Sequence, residues 1–422
     1  MSYIYRVHIV ILLSLSFLID HVIADDIAER LFSQWQNSVY QIEVVTSDVK
    51  SKSSLGTGFV VARADILATN FHVVAKAVHE PERFQLEWKN QQDERGSLEV
   101  IAIDVINDLA LLKADRPMGV AMQTTALPPV GASLFSMGHP KALDLSIVTG
   151  SMNGQLEKSL YQRIHFSGNI NRGMSGGPAF DQLGNVVGIN VATSGDAVGF
   201  LVPAHFLERL IETSRQSDFT AYRDFSIVIG EQLMANQERI VSEFLNEEWT
   251  FQQIGKMSVP TKISERLNCW GNSQLEKEDI RLTELSAICR SDDRIFVSNQ
   301  FFAGLLSFEY FWFESKSLTS TGFYKAYQDN YSSNFLGEAQ EEDVTNFNCV
   351  VKFLNIDGAD FKANICARAY KRYPELVDFM VLLGMVGKEK EGFIYTLDLS
   401  TVTLSNGMLL FEKFLENFSW QR

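Results

Sequence analysis

A single serine stands among glycines in the segment Gly173-Met174-Ser175-Gly176-Gly177-Pro178. Glycine adopts positive φ values and lets other backbone or a substrate come close, so the segment predicts a tight loop that exposes one hydroxyl beside bare N–H groups. Acyl transfer needs such a nucleophile together with preorganised donors for the developing oxyanion. The segment indicates that chemistry only if a base and an orienting acid lie elsewhere in the chain.

Two upstream residues have the required types. His72 follows the β-like run Leu67-Ala68-Thr69, and Asp108 stands at the head of another run, Leu109 to Leu112. The order His, Asp, Ser along the chain is one of the known orders of a catalytic triad. In such a triad Ser175 attacks the carbonyl, His72 accepts the hydroxyl proton, and Asp108 holds the imidazole tautomer.

Other residues of the same types have structural interpretations. A lone histidine such as His72 is more often a core residue, and only its neighbours Thr69, Asn70 and Phe71 favour a catalytic role. Asp104 is expected to be a structural carboxylate. His139, in the sequence Gly-His-Pro, is expected in a turn, and His165 on a strand face.

These segments together resemble the trypsin-like serine proteases, and most closely their HtrA/Deg branch. The resemblance covers about residues 30–217, and the matching blocks occur in the family's order. The blocks are Gly56-Thr57-Gly58-Phe59-Val60, Thr69-Asn70-Phe71-His72-Val73, Asp104 with Asp108-Leu109-Ala110-Leu111-Leu112-Lys113, Gly173 to Pro178, Gly188 to Ala192, and Gly199 to Pro203.

The resemblance implies a mainly β fold of two antiparallel six-stranded barrels with the triad assembled between them. It implies an oxyanion hole made by the N–H groups of Gly173 and Ser175, and catalysis without a metal or an organic cofactor. Met174 stands where many relatives carry Asn, a departure that touches no step of the chemistry. The primary pocket would be lined by Asn169, Asn190, Val191, Ala192 and Phe200. Because Asn169 stands where an acid would select Lys or Arg, the pocket is expected to be uncharged and to favour apolar side chains.

Hydrophobic periodicity supports a strand-rich first half. Residues 25–37 have helical spacing, and short alternating runs from Val39 onward read as strands. The strands of the first set are Val39–Val45, Gly58–Ala62, Ile66–Thr69, Phe84–Trp88, Leu98–Ile103 and Leu109–Leu112, and those of the second are Ser133–Ser136, Leu145–Val148, Arg163–Phe166, Val186–Val191 and Val198–Val202. The two barrels are expected at about 38–127 and 130–203, with a closing helix at 203–217.

The N-terminus has the pattern of a secretory signal. Arg6 precedes an apolar run from Val7 to Ile19, which is too short to span a bilayer, and small residues end at Ala24. Cleavage after Ala24 would leave a mature chain with no membrane span, in a periplasm or outside the cell. An uncleaved anchor is the alternative.

Length and charge limit the remaining function classes. The chain has 422 residues, enough for two or three domains, and 46% of them are hydrophobic, enough to bury real cores. The net charge of −15 argues against nucleic-acid binding, which needs clustered Lys and Arg.

The second half has no recognisable peptide-binding PDZ domain. Residues 218–250 have helical spacing and are interpreted as a linker, and 251–422 as an accessory α+β domain rich in strands and aromatic residues. The predicted strands there include Ile295–Val297, Phe308–Phe313, Cys349–Phe353 and Phe393–Leu397. Asn406-Gly407 is a candidate hairpin turn, with helix possible after it.

All four cysteines lie in this half. An even number in an exported chain favours disulfides, and proximity favours Cys269–Cys289 and Cys349–Cys366 among three possible pairings. A zinc site is the alternative, although no Cys-x-x-Cys pair exists.

The sequence therefore predicts an exported serine endopeptidase of residues 25–217 with an accessory domain. Its partner would be a protein or peptide substrate, and an envelope protein is a candidate partner of the accessory domain. The competing hypothesis is a catalytically silent or latent protease fold that works as a binding or regulatory module through its C-terminal domain.

Overall fold

The computed structural model describes residues 27–193, 198–221, 224–275, 277, 281–332, 335 and 337–420. The predicted signal peptide, residues 1–24, lies outside these ranges. Contacts divide the chain into two compact units. The first comprises the described residues up to Leu156 together with Gln162–Phe225, and the second comprises Glu157–Tyr161 and the described residues from Ser226 onward. Within the described ranges, no helix is both long and apolar enough to cross a membrane.

The first barrel closes in the strand order β1-β2-β3-β6-β5-β4. Its strands are β1 (Val39–Thr46), β2 (Lys52–Val60), β3 (Ile66–Thr69), β4 (Phe84–Lys89), β5 (Arg95–Asp104) and β6 (Leu109–Ala114). Every pairing is antiparallel, and β1, β3 and β6 are buried almost throughout. Each of the six predicted runs overlaps one of these strands.

The second barrel repeats that order as β7-β8-β9-β12-β11-β10. Its strands are β7 (Ser133–Gly138), β8 (Ser146–Gln155), β9 (Ile164–Phe166), β10 (Pro178–Phe180), β11 (Val186–Thr193) and β12 (Gly199–Pro203). Strand β10 was not predicted, because three residues carry too little periodicity. The expectation of two closed six-stranded antiparallel barrels is confirmed.

Three helices of the first unit pack their apolar faces against the barrels. Residues 27–35 form α1, which buries Leu31 and stacks Trp35 on Phe180 with ring centroids 6.1 Å apart. Helix α2 (Phe71–His79) follows β3 directly, and α3 (Ala204–Gln216) closes the domain by burying Phe206, Leu207 and Ile211. The sequence analysis missed α2 because the helix has only nine residues, too few to show a clear helical periodicity.

The second unit is built on a seven-stranded antiparallel sheet in the order β15-β16-β19-β23-β22-β21-β20. Its strands are β15 (Asn268–Gln274), β16 (Thr283–Arg290), β19 (Leu306–Glu314), β20 (Asn348–Ile356), β21 (Ala359–Ala369), β22 (Val377–Val386) and β23 (Glu391–Val402). A three-stranded sheet contains β13 (Thr250–Ile254), β14 (Met257–Lys262) and β24 (Ser419–Trp420), and a two-stranded one contains β17 (Ile295–Ser298) and β18 (Phe301–Ala303).

Three helices pack within this unit. Helix α5 (Ser320–Asn330) buries Phe323 and Tyr327 against the seven-stranded sheet. Helix α4 (Phe225–Asn246) lies in the region interpreted as a linker, but its residues from Ser226 belong to this unit. Gln237 of α4 accepts a hydrogen bond from Asn406 Nδ2 at 2.9 Å, which fixes it to α6 (Leu404–Glu416).

The predicted Asn406-Gly407 turn was wrong, because both residues lie inside α6. Thr403 caps this helix by accepting from the Asn406 N–H at 3.2 Å. Gly407 serves close packing there, since a Cβ would come within 2.8 Å of the Phe379 ring on β22. A local dipeptide signal was thus overridden by a helix packing on the sheet.

The four cysteines form two disulfides, Cys269–Cys289 and Cys349–Cys366, the pairing that proximity favours. Each joins directly opposed residues of a hairpin, one linking β15 to β16 and the other β20 to β21. Because β15 and β20 are the two edges of the seven-stranded sheet, both edges are cross-linked to their neighbours.

Candidate active site

His72 is placed by the junction of β3 and α2. Asn70 follows β3 in an extended conformation and precedes α2, which begins at Phe71. Phe71, Val73 and Val74 are buried and fix the helix against the barrel. The His72 side chain between them stays 29% exposed, as a base that must meet a substrate requires.

Asp108 lies in the turn between β5 and β6. Its φ of +60° is left-handed, a region that aspartate tolerates better than most residues. Its carbonyl accepts from Asn70 Nδ2 at 2.8 Å, so the turn is tied to the start of α2. Asp104 instead binds Asn107, whose N–H and Nδ2 it accepts at 3.0 and 2.7 Å.

The Asp108 carboxylate holds His72 at two atoms. Oδ1 accepts the His72 backbone N–H at 2.8 Å, and Oδ2 lies 2.7 Å from the ring nitrogen Nδ1. A carboxylate can only accept here, so Nδ1 carries a proton and Nε2 of a neutral ring is left as the basic nitrogen. One carboxylate therefore fixes both the orientation and the tautomer of the imidazole.

The pKa of His72 is raised above its usual value. Burial by itself would lower it, but the charge of Asp108 and its hydrogen bond to the ring favour the imidazolium and outweigh burial. This suits a base that must hold a proton during a reaction. His139, in contrast, has its pKa lowered to about 4, because burial and the charge of Lys89 outweigh the opposite effect of Asp144. His139 is thus neutral near pH 7.

Four consecutive carbonyl groups of the loop before β10, those of residues 172–175, accept hydrogen bonds. Arg172 O accepts from Lys141 N at 2.7 Å, and Gly173 O accepts from Thr57 Oγ1 at 2.7 Å. Met174 O accepts from Asn190 Nδ2 and from Gly177 N, and Ser175 O accepts from Thr57 N at 2.8 Å. The path of this loop is therefore determined by donors outside it as well as within it.

Two amides of the loop remain available. Within the described ranges, neither the Gly173 N–H nor the Ser175 N–H donates a hydrogen bond to the protein. Gly173 has a φ of +95°, and a Cβ there would lie 2.3 Å from His139 O, so only glycine fits. The loop can offer these two amides to an acceptor, and their use as an oxyanion hole stays a prediction of the sequence.

The Ser175 hydroxyl donates to Val191 O at 3.0 Å. Val191 lies at a β-bulge of β11, where the register with β12 shifts between Asn190 and Ala192. Bulges are common beside active sites because they re-aim a backbone group.

The predicted pocket residues differ in how far their side chains are exposed. Asn169 is exposed, Val191 and Phe200 are half-buried, and Phe200 lies against His165 with ring centroids 6.4 Å apart. Ala192 lies in β11 opposite Phe200 in the register.

Asn190 is placed differently from the other predicted pocket residues. Its side chain is fully buried, accepts from Ser136 Oγ at 2.7 Å, and donates to Met137 O and Met174 O. Both ends of the amide are engaged inside the barrel, so this side chain supports the nucleophile loop and does not line a pocket.

Two supporting residues were missed by sequence reasoning. Thr57 belongs to the Gly-Thr-Gly segment, which was recognised only as a family block, and Lys141 follows Gly138-His139-Pro140. Their donors bind carbonyls more than thirty residues away, as the Thr57–Gly173 separation of 116 residues illustrates. No local pattern reports such a contact.

Comparisons with known proteins find relatives of the first half of the chain. A family model described as "Trypsin-like peptidase domain" matches residues 56–189. The chain is 31% identical over 209 residues to Protease Do-like 5, chloroplastic, of Arabidopsis thaliana, covering 43% of this chain and 64% of that one. It is 28% identical over 170 residues to human Serine protease HTRA3, covering 37% of each. The chain thus spans less than two thirds of the length of these relatives.

The match to a solved structure covers a similar share of this chain. The crystal structure of Deg5 covers 45% of this chain and 95% of its own, at 26% identity and a TM-score of 0.40. All of these matches are confined to less than half of the chain. Residues 56–189 thus match a trypsin-like peptidase domain, and HtrA and Do-like serine proteases are among the relatives of this chain.

Proposed function

We propose that the protein is a serine endopeptidase that works by the triad Ser175, His72 and Asp108. The observation that carries the proposal is the double hold of Asp108 on His72, at 2.8 and 2.7 Å, beside a loop with two available amides. The trypsin-like peptidase domain and the named proteases among the relatives support the same activity.

Each step has a residue to perform it. His72 Nε2 takes the Ser175 proton as Oγ bonds to the scissile carbonyl carbon, and the carbonyl oxygen becomes an oxyanion held by the Gly173 and Ser175 amides. His72 then gives that proton to the leaving amine as the C–N bond breaks. Water repeats the sequence on the acyl-enzyme and releases the acid. Asp108 stays ionised and stabilises the imidazolium throughout.

The pocket is proposed to be uncharged. Asn169, Val191 and Phe200 carry no formal charge, and Asn190 is withdrawn into the barrel. A pocket of this composition favours apolar side chains of small or medium size and offers no ion pair to Lys or Arg. Fast cleavage after Arg in a peptide library would contradict this part.

Export is proposed from the N-terminal sequence and supported by the two disulfides, because disulfides persist in oxidising compartments. The mature enzyme would then act in a periplasm or outside the cell on protein substrates. An envelope protein as partner of the second unit stays a prediction of the sequence.

Labelling with a fluorophosphonate probe tests the activity. We expect the purified mature protein to be labelled and to cleave an unfolded protein, because both require an activated serine. Ser175→Ala should abolish labelling, and His72→Ala should slow it by orders of magnitude.

A matched control is His205→Ala, which removes an exposed histidine of α3 that is not part of the triad or the proposed pocket. It should label like the wild type. Wild type that neither labels nor cleaves would contradict the proposal and favour a protease fold kept for binding.

A further inference from the structure

Thr57 connects the first barrel to the loop of the second barrel that carries Ser175. The residue lies in β2 and is fully buried. Its Oγ1 is 2.7 Å from Gly173 O and accepts the His139 N–H at 3.0 Å, while its own N–H donates to Ser175 O at 2.8 Å. Thr57 thus contacts both residues whose amides would form the oxyanion hole.

The direction of the hydroxyl proton follows from these partners. The His139 N–H can only donate, so Oγ1 accepts from it and keeps its single proton for another group. Gly173 O at 2.7 Å is a closer acceptor than His139 Nδ1 at 3.4 Å. Thr57 therefore donates to the Gly173 carbonyl.

The hydrogen bond to the Gly173 carbonyl restricts the backbone conformation of Gly173, which could otherwise adopt two orientations. Glycine populates positive and negative φ about equally, so Gly173 has little intrinsic preference for its φ of +95°. Its N–H belongs to the peptide whose carbonyl, Arg172 O, is held by Lys141 N at 2.7 Å. If that peptide turned over, the Arg172 oxygen would occupy the place of a donor. The bonds to Arg172 O and Gly173 O hold the two peptides on either side of Gly173.

We propose that Thr57 is a positioning residue for the oxyanion hole, whose hydroxyl holds Gly173 with its N–H directed at the developing oxyanion. This inference rests on the proposed protease function and adds to it a residue outside the triad. Thr57 takes no part in proton transfer, so its loss should affect stabilisation of the transition state and leave the base unchanged.

Thr57→Val removes the hydroxyl and keeps the shape. We expect kcat to fall roughly 10- to 100-fold, somewhat less than the 10²–10³ lost with an oxyanion donor itself, and KM to change by less than about threefold. Fluorophosphonate labelling should slow by a similar factor as kcat. The acidic midpoint of the pH–rate profile should not move, because the His72–Asp108 pair is untouched. Thr57→Ser keeps the donor and should restore most of the rate.

Two further variants separate positioning from general destabilisation. Tyr40→Phe removes a buried hydroxyl of the same barrel that bonds Asn37 O and Met118 O, away from the loop, and should keep wild-type kcat. Thr57→Ala serves where Thr57→Val lowers the yield of folded protein. Wild-type kcat in Thr57→Val, or equal loss in Thr57→Ser, would overturn the inference.

Hydrogen exchange of the loop tests the inference without turnover. Peptides covering residues 168–178 should exchange faster in Thr57→Val than in the wild type, and at the wild-type rate in Thr57→Ser and Tyr40→Phe. Unchanged exchange in Thr57→Val would overturn the inference. An inactive wild type with faster exchange in Thr57→Val would contradict the protease function and support the role of Thr57 in the loop.

Discussion

The carboxylate of Asp108 shows how one residue sets the chemistry of another. By accepting both the backbone N–H and the ring Nδ1–H of His72, it leaves the imidazole one orientation and one tautomer. Its own left-handed φ of +60° is stabilised by the bond from Asn70 Nδ2 to its carbonyl. The orienting acid is thus itself positioned by a residue beside the base.

The raised pKa of His72 predicts the pH dependence of activity. A base must be neutral to accept the Ser175 proton, so kcat/KM should rise with pH through a midpoint above the ordinary value of about 6.5. The stability contribution has the opposite sign. The folded protein binds this proton more tightly, so the stabilisation is complete below about pH 6.5 and is lost as pH rises through the folded pKa.

Asp108→Asn is the matched variant for this prediction. Both causes that raise the pKa of His72 come from Asp108, so the amide should lower that pKa, and it should reduce kcat by about 10⁴, as in a well-studied triad protease. A pH–rate profile and the titration of the His72 ring by NMR would check both. An acidic midpoint below pH 6.5 in the wild type would contradict the assignment.

At the scale of elements, the edge hairpins of the second unit are the regions most in need of a cross-link. Strand β20 exposes Val350, Val351 and Phe353 at 57%, 52% and 74%, so burial contributes little to holding it. Edge strands also leave one row of backbone groups unpaired. The disulfide between Cys349 and Cys366 therefore supplies stability that packing does not.

Replacing both Cys349 and Cys366 by Ser should loosen this hairpin selectively. A loop of this length is stabilised by about 3 kcal/mol, so exchange of β20 and β21 amides should accelerate by about 10²-fold. Hydrogen exchange with mass spectrometry would measure it by peptide. The same change at Cys269 and Cys289 is the control, and it should affect β15 and β16 instead. Exchange unchanged in both variants would contradict the prediction.

At the scale of the whole molecule, export and the two disulfides make a joint prediction, because disulfides persist in oxidising compartments. If residues 1–24 are removed on export, intact mass and N-terminal sequencing of the natural protein should give Asp25 as the first residue. The same sample should contain no free thiols without reduction, because all four cysteines are paired. A chain that begins at Met1 in its native location would contradict export by cleavage.

Much of the first unit followed from the sequence alone. Alternating runs gave eleven of the twelve barrel strands in outline, and the types and order of His72, Asp108 and Ser175 indicated their chemistry before any geometry. The second unit was predicted only as β-rich with helices, because aromatic runs such as that of β19 do not report which strands pair. Cysteine proximity indicated the disulfides, since each pair brackets one hairpin.

What only the tertiary structure decided are the contacts between residues distant in the chain. The buried side of a strand could be predicted from local periodicity, because it depends on residues that are close together in the chain. The turn of Asn190 into the barrel, the inclusion of Gly407 in α6 and the hold of Thr57 on Gly173 depend on groups from other strands and helices. Hydrogen bonds and close packing act over a few ångströms in space, whatever the separation in sequence. The residue types and their order therefore indicated the chemistry, but only the folded structure shows which groups support the residues that would perform it.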